Sequence, residues 1–449
     1  MASDGPNSLT SPSSREVSPT RREVLRLGAA TLLSAPPLRA TATPDASGWL
    51  SAALRDAART GGAVRLPAGV TATRALDIPD GVTLVGAPGR SILKLVGPGP
   101  LLSANGASRI AIESIVFDGG GAYIEPKRGL LDFTDVVQLS IHGCAIRRSA
   151  ARGVNLLRSG GRFAQNTIEH VQDAGYFSLD GLGVDIDGNH VRECGDNGVQ
   201  VFTNVAGRYE GSRVRNNLIE DIHNISGGNG PYGNGVGIYR SGSVRVENNR
   251  IYRCAYTAVR NNAGHDVYVA GNECKRCGER AMYAEFGAKR STFKNNRIDD
   301  AGAGIAVANA EAGTDAGSVT GNTITNFREN RPDPDFGPAM FWLTGIAGEK
   351  NCDISGNTVI GPAWIGIALV GRRENVRAEG NTIAGADYGF VFTTGADAGL
   401  GVIVGNKITG ARKAAIAAAW GPNSFPEDLS APGAAAKYPR LVVRDNEVS

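Results

Sequence analysis

The 449 residues carry a net charge of +3, and 61 of them are glycine, roughly twice ordinary usage. Residues 1–42 hold five basic and three acidic groups, which leaves the remainder at about +1, too near neutral to argue for a nucleic-acid partner. No run of 18 or more apolar residues exists, which excludes a membrane-spanning helix; sparse aromatics and short β-branched pieces point instead to many short strands.

In chain order, "SPTRREVLRLGAATLLSAPPLRATA" comes first, with Arg21-Arg22, a modest apolar stretch broken by Arg26, and the small-residue site Ala40-Thr41-Ala42. It resembles a bacterial twin-arginine export signal, Thr20–Arg26 standing where that family prefers Ser-Arg-Arg-x-Phe-Leu-Lys. The resemblance implies that residues 1–42 are a signal peptide, that the export machinery is a partner, and that the protein reaches the periplasm or the exterior already folded. Next, "SGWLSAALRDAARTGG" spaces Trp49, Leu50, Ala53, Leu54 and Ala57 along one helical face. A helix within residues 43–60 is expected to plug the open end of the domain formed by residues 61–449.

That domain is built on a repeat. Asn166, Asn189, Asn217, Asn249, Asn272, Asn296, Asn322, Asn357, Asn381, Asn406 and Asn446 recur with gaps whose minimum is 23, and Cys144 and Ile115 fill two earlier rungs. Two residues after each Asn stands an aliphatic such as Ile168, Ile251 or Ile383; three before it stands another, such as Ile186, Val246 or Ile354. About ten after it comes a Gly-aliphatic-x-aliphatic piece, as in "GVQV" and "GVGI". Three short alternating strands per turn, with no helical period, describe an all-β parallel β-helix of about thirteen coils over residues 61–449. The Asn is expected to stand at a sharp bend where it tolerates a left-handed backbone, its amide stacking into a ladder from coil to coil. The insertion 421–439 is expected to fold over the far end, because Asn446 is three residues from the terminus.

These columns, with the lead-in "AVRLPAGVTATRALDIPDGVTLVGAPG", resemble the pectate-lyase-like right-handed β-helix superfamily, and within it the twin-arginine-exported β-helix repeat proteins of unknown function. The resemblance implies a single right-handed solenoid with a structural Asn ladder. It also implies a substrate groove along the outer face of the Gly-aliphatic strand, between walls of inserted loops.

Cys194, Cys254 and Cys277 fall five residues after an anchor, in a column otherwise filled by residues such as Val171 and Ile222; Cys274 replaces an inward Ile. Core packing is the reading of all these thiols. A disulfide between Cys254 and Cys277, on adjacent coils, stays open. No residue is assigned to a metal, because no His pair accompanies Cys274-x-x-Cys277.

The insertions "HNISGGNGPYGNG" (223–235) and "RENRPDPDFGPAM" (328–340) enlarge the turn before the Gly-aliphatic strand. Loops on a rigid scaffold are where function collects. The outward residues of that strand include Gln200 and Phe202 on the coil before, and, between the two insertions, Tyr239, Arg260, Asn262, Tyr283 and Glu285, with Arg240 at the edge. Abstraction of the proton beside a uronate carboxylate needs a base, and positive charge or hydrogen-bond donors to hold the enolate. Arg260, Tyr283 and Glu285 are therefore the candidate catalytic residues: Arg260 with Asn262 as stabiliser, Tyr283 as base or acid, Glu285 to orient Arg260 or hold a cation. Superfamily lyases also use Arg as base, so those roles can exchange. Gln200, Phe202, Tyr239, Arg240 and Asn262 are the candidate substrate contacts. The plainer alternative makes Arg260 and Glu285 an ordinary surface ion pair. Asp185 and Asp187 face one way, among Arg162, Arg213 and Arg215, which reads as cross-strand charge pairing. His265-Asp266 and Asp299-Asp300 read as turn chemistry.

The function expected is an exported, monomeric lyase or epimerase acting on an acidic polysaccharide. A glycan-binding envelope protein and a periplasmic accessory in cofactor or metal assembly are the alternatives. A calcium requirement is not legible.

Overall fold

The computed structural model describes residues 45–205, 208–228, 230–308, 317–328, 343–369, 375–394, 399–419 and 427–449. The segment read as an export signal lies outside them, as does the loop 328–340 beyond Arg328. Three parallel sheets stack along the chain. The first runs from Ala63–Arg65 to Leu441–Arg444, the second from Gly69–Thr73 to Glu447–Val448, and the third from Leu76–Asp77 to Ala414–Ala419. Every strand pairs with the strand three further along, so one coil contributes one strand to each sheet. The thirteen anchored coils expected from the sequence come after two lead-in coils built from residues 63–105. Inward aliphatics fill the interior; Ile168, Val191, Ile219, Ile251 and Ile298 are all solvent-inaccessible.

The Asn ladder is continuous. From Asn166 to Asn406 each side-chain Nδ2 donates to the Oδ1 of the next coil's Asn at 2.9–3.0 Å. The left-handed backbone does not belong to the ladder residue, which corrects the expectation. It belongs to the residue before it: Gln165, Asn216, Asn248 and Asn295 have φ of 56°, 57°, 55° and 53°. The preceding residue makes the bend, and the ladder Asn is left free to turn its amide into the stack. A second left-handed column (Arg148, His170, Glu193, Asp221, Arg253 and Arg276) lies four residues after the anchors. It breaks strict alternation, which is why side chains both two and five after the anchor face inward.

The helix Ser47–Thr60 buries Leu50, Leu54 and Ala57 against the first coils, whereas Trp49, placed on the buried face by its spacing, is 47% exposed. At the far end, Leu429 packs into the core and its N–H donates to Ile416 O on the last strand of the third sheet. Asp428 accepts from the N–H groups of Ala415 and Ile416. The described part of the insertion therefore covers an open sheet edge. All six cysteines are free and buried, Cys254 and Cys277 among them. Arg215 reaches Asp185 at 3.0 Å and Arg162 reaches Asp187 at 3.0 Å, the cross-strand pairing expected.

Candidate functional site

The third sheet positions the site. Register stacks Gln200, Gly237, Arg260 and Tyr283 in one outward column, and Phe202, Tyr239, Asn262 and Glu285 in the next. Gln200, Phe202, Tyr239, Arg260, Asn262, Tyr283 and Glu285 line a single cavity of about 460 Å³, together with Gly230, Pro231, Tyr232 and Phe286. Arg240, the remaining sequence candidate, faces an adjoining cavity.

Arg260 and Glu285 are not a surface pair, contrary to the plainer reading. Their side chains are 9% and 2% exposed, and Arg260 Nε donates to Glu285 Oε1 at 2.6 Å. Arg260 Nη1 donates to Glu279 Oε2 at 3.1 Å, and Thr257 Oγ1 donates to the same oxygen at 2.9 Å. Asn262 Nδ2 completes the set on Glu285 Oε1 at 3.4 Å. The guanidinium carbons of Arg260 and Arg280 lie 5.3 and 5.0 Å from the centre of the Tyr283 ring. Two buried arginines and two buried glutamates thus surround one buried tyrosine.

The electrostatics arise from burial. Loss of water raises the Glu285 carboxyl above its usual range, against the lowering pull of Arg260. Burial likewise pushes the Tyr283 hydroxyl up to about 12. Burial works against the Arg260 charge, but Glu279 and Glu285 outweigh it and hold the guanidinium firmly protonated. The Arg260 charge is thus balanced by two carboxylates.

The described residues of the insertion 223–235 roof this floor. Ser226 N–H and Oγ bind the Asp196 carboxylate at 2.8 and 2.6 Å; Asn234 Nδ2 donates to Gly230 O at 2.9 Å and to Asn197 Oδ1 at 3.2 Å. Gly230 has φ of 110°, and a β-carbon there would overlap the Arg260 guanidinium. Only glycine lets the roof come down onto the charge. Phe177, Phe202 and Tyr239 form a row with ring centres 5.5 Å apart, the first pair edge-on and the second tilted, leading toward the cavity.

Sequence reasoning missed Glu279, Arg280, Tyr232 and Phe286. Glu279 and Arg280 stand where the strand begins, and alternation gives no direction there. The signal available was the column Asn197, Asn234, Thr257, Arg280, polar in four successive coils. His265-Asp266 is more than a turn: His265 is buried, with Nδ1 2.9 Å from Asp266 Oδ2, and it lines the adjoining cavity.

Residues 220–424 match the model of a family described as periplasmic copper-binding protein (NosD). No curated protein matches the chain in sequence. Among solved structures, the chain is similar to the A-module of mannuronan C-5 epimerase AlgE4 of Azotobacter vinelandii, at 18% identity over 86% of this chain and 96% of that one, with a TM-score of 0.50. It is also similar to a PL6 alginate lyase solved with a trisaccharide, at 13% identity over 76% of this chain and 84% of that one, with a TM-score of 0.53. Identities this low speak for the fold alone. The chain is a right-handed parallel β-helix.

Among the described residues, the copper of the matched family finds no fitting donors. The described residues contain no cluster of three or more His, Cys, Asp or Glu that could hold a metal ion, and every thiol is buried in the core. Burial raises the thiols of Cys144 and Cys352 to about 11 and about 12, away from the thiolate a metal would need.

Proposed function

We propose that the protein is an exported enzyme acting on an acidic polysaccharide by proton abstraction beside a uronate carboxylate, as a lyase or an epimerase. One observation carries the reading. The next coil fills the same register with Ala303 and Ala306 where this one has Arg280 and Tyr283, so the solenoid closes there without charge. Burying four charges is costly, and the fold does not require them. In the mechanism that fits, Glu285, made more basic by burial, takes the proton beside the substrate carboxylate. Arg260 and Asn262 stabilise the enolate that forms. Tyr283, kept protonated by burial, returns a proton, either to the departing glycosidic oxygen or to the opposite face of the same carbon. Two structural neighbours named for acting on mannuronan and alginate support this substrate class.

The test is incubation of the mature protein with a panel of uronate polysaccharides, with ultraviolet absorbance to detect unsaturated ends and proton NMR to detect inverted residues. One of the two signals is expected, and it should disappear in Tyr283→Phe. Silence on both across the panel, with a polymer still retarded in a gel, replaces the enzyme reading with glycan binding, which the row Phe177, Phe202, Tyr239 favours.

A further inference from the structure

Beside the central cavity the same coils build a second one, of about 600 Å³, that shares Tyr239, Asn262 and Phe286 with it. Its other walls are Tyr209, Arg240, His265, Lys289 and Arg290, with backbone from Ala263 and Gly287. It forms where the chain leaves the third sheet. Arg240, Ala263 and Phe286 occupy equivalent positions in three successive coils, all left-handed, with φ of 58°, 57° and 53°. That repeated bend creates a shelf alongside the strands rather than further along the solenoid.

Charge separates the two cavities. In the central one, Arg260 and Arg280 are matched by Glu279 and Glu285, so the floor is close to neutral and offers a polyanion little net attraction. In the second, Asp266 is already committed: Arg290 binds it through Nε and Nη2 at 2.6 and 2.7 Å, and Tyr209 and His265 share its Oδ2. Arg240 and Lys289 are not. Among the described residues neither forms an ion pair with a carboxylate; Arg240 only reaches Asn204 O at 3.3 Å and lies 5.5 Å from the Tyr239 ring centre. Uncompensated cations beside exposed aromatic rings fit a ring bearing a carboxylate, stacked on one and paired with the other.

We infer that this cavity is a second uronate subsite, with the sugar carboxylate held by Arg240 and Lys289 and the sugar ring against Tyr239 and Phe286. The polymer therefore crosses the coils parallel to the strands at this point, instead of running only along the solenoid axis. The inference rests on the acidic-polysaccharide reading and adds the residues that make the site selective for charge.

The experiment is calorimetric titration of the mature protein with oligomannuronates from dimer to hexamer, and with a carboxyl-reduced hexamer. Wild type is compared with Arg240→Gln/Lys289→Gln and with the charge-keeping Arg240→Lys/Lys289→Arg. Both side chains stand at the surface, and a melting curve confirms that each variant is folded. The double Gln variant is expected to lose at least about tenfold in affinity for the hexamer, as befits two charge-assisted contacts. The dimer should be unaffected, the reduced hexamer should bind both forms equally, and the charge-keeping variant should retain most of the affinity. Equal loss at every length, or none at any, overturns the subsite while leaving the central site standing. Failure of the wild type to bind any acidic oligomer overturns both readings together.

Discussion

Replacing Arg260 by Met keeps most of the side-chain volume and removes the charge, leaving Glu279 and Glu285 buried without their shared cation. Taking one partner from a buried ion pair costs about 3–5 kcal/mol, because the remaining charge is not rehydrated. The loss should concentrate in the coils that carry Val259–Asn262 and Arg280–Glu285, since a solenoid transmits little beyond nearest neighbours. The loss should also depend on pH. Glu285 already has a raised pKa through burial, and Arg260 is what pulls it back. Without Arg260 the folded-state value rises further above the unfolded one. The contribution of this group is then complete at low pH and lost as pH rises through the folded value, at up to about 1.4 kcal/mol per pH unit. The variant should therefore lie closest to wild type near pH 5 and furthest from it near pH 8. The assay is native-state hydrogen exchange of the amides of those two strands at both pH values. A triple variant, Arg260→Met/Glu279→Gln/Glu285→Gln, should recover most of the stability and none of the activity. A single variant as stable as wild type at pH 8, or a triple variant less stable than the single one, would refute the claim that the three side chains form one buried charge network.

Three further outcomes are expected. Gly230→Ala puts a side chain on a left-handed residue, at a cost on the order of 1–3 kcal/mol, and pushes the Arg260 guanidinium off its partners; activity should fall with little change in global melting, and an active variant would show that the roof does not hold Arg260. Burial lifts the Glu210 carboxyl to about 7, so its stabilisation is complete below about pH 4 and lost as pH rises through 7. Glu210→Gln should thus gain on wild type by on the order of 3 kcal/mol between pH 4 and pH 8; denaturant midpoints differing equally at both pH values would contradict this. The six thiols, all buried and free, should resist a disulfide-exchange reagent in the native protein and all react after denaturation in guanidinium; fewer than six on denaturation would reveal a disulfide.

The sequence by itself determined the solenoid, because each coil repeats the same requirement. An inward aliphatic two residues after Asn217, Asn249 or Asn296 has nowhere to go but the interior, and an amide at each anchor must satisfy the one above it. Period and column therefore gave the coils, the ladder and the outward register, and that register already brought Arg260, Tyr283 and Glu285 together. Local pattern failed where geometry is not periodic. Which residue bends left-handed at the anchor was misassigned by one, since Asn-Asn and Gly-Asn pairs offer either candidate. Trp49 fits the helical spacing of the buried face yet stays 47% exposed. Only the tertiary structure decided that the Arg260–Glu285 pair is buried, because the depth comes from a roof whose position depends on Asp196, Asn197 and Asn234 from the strands below. It alone brought in Glu279, whose place just ahead of the strand has no alternation to reveal it, and turned Arg240, Lys289 and Phe286 into one shelf. Burial and charge balance are sums over neighbours contributed by several coils, and no single stretch of sequence contains them.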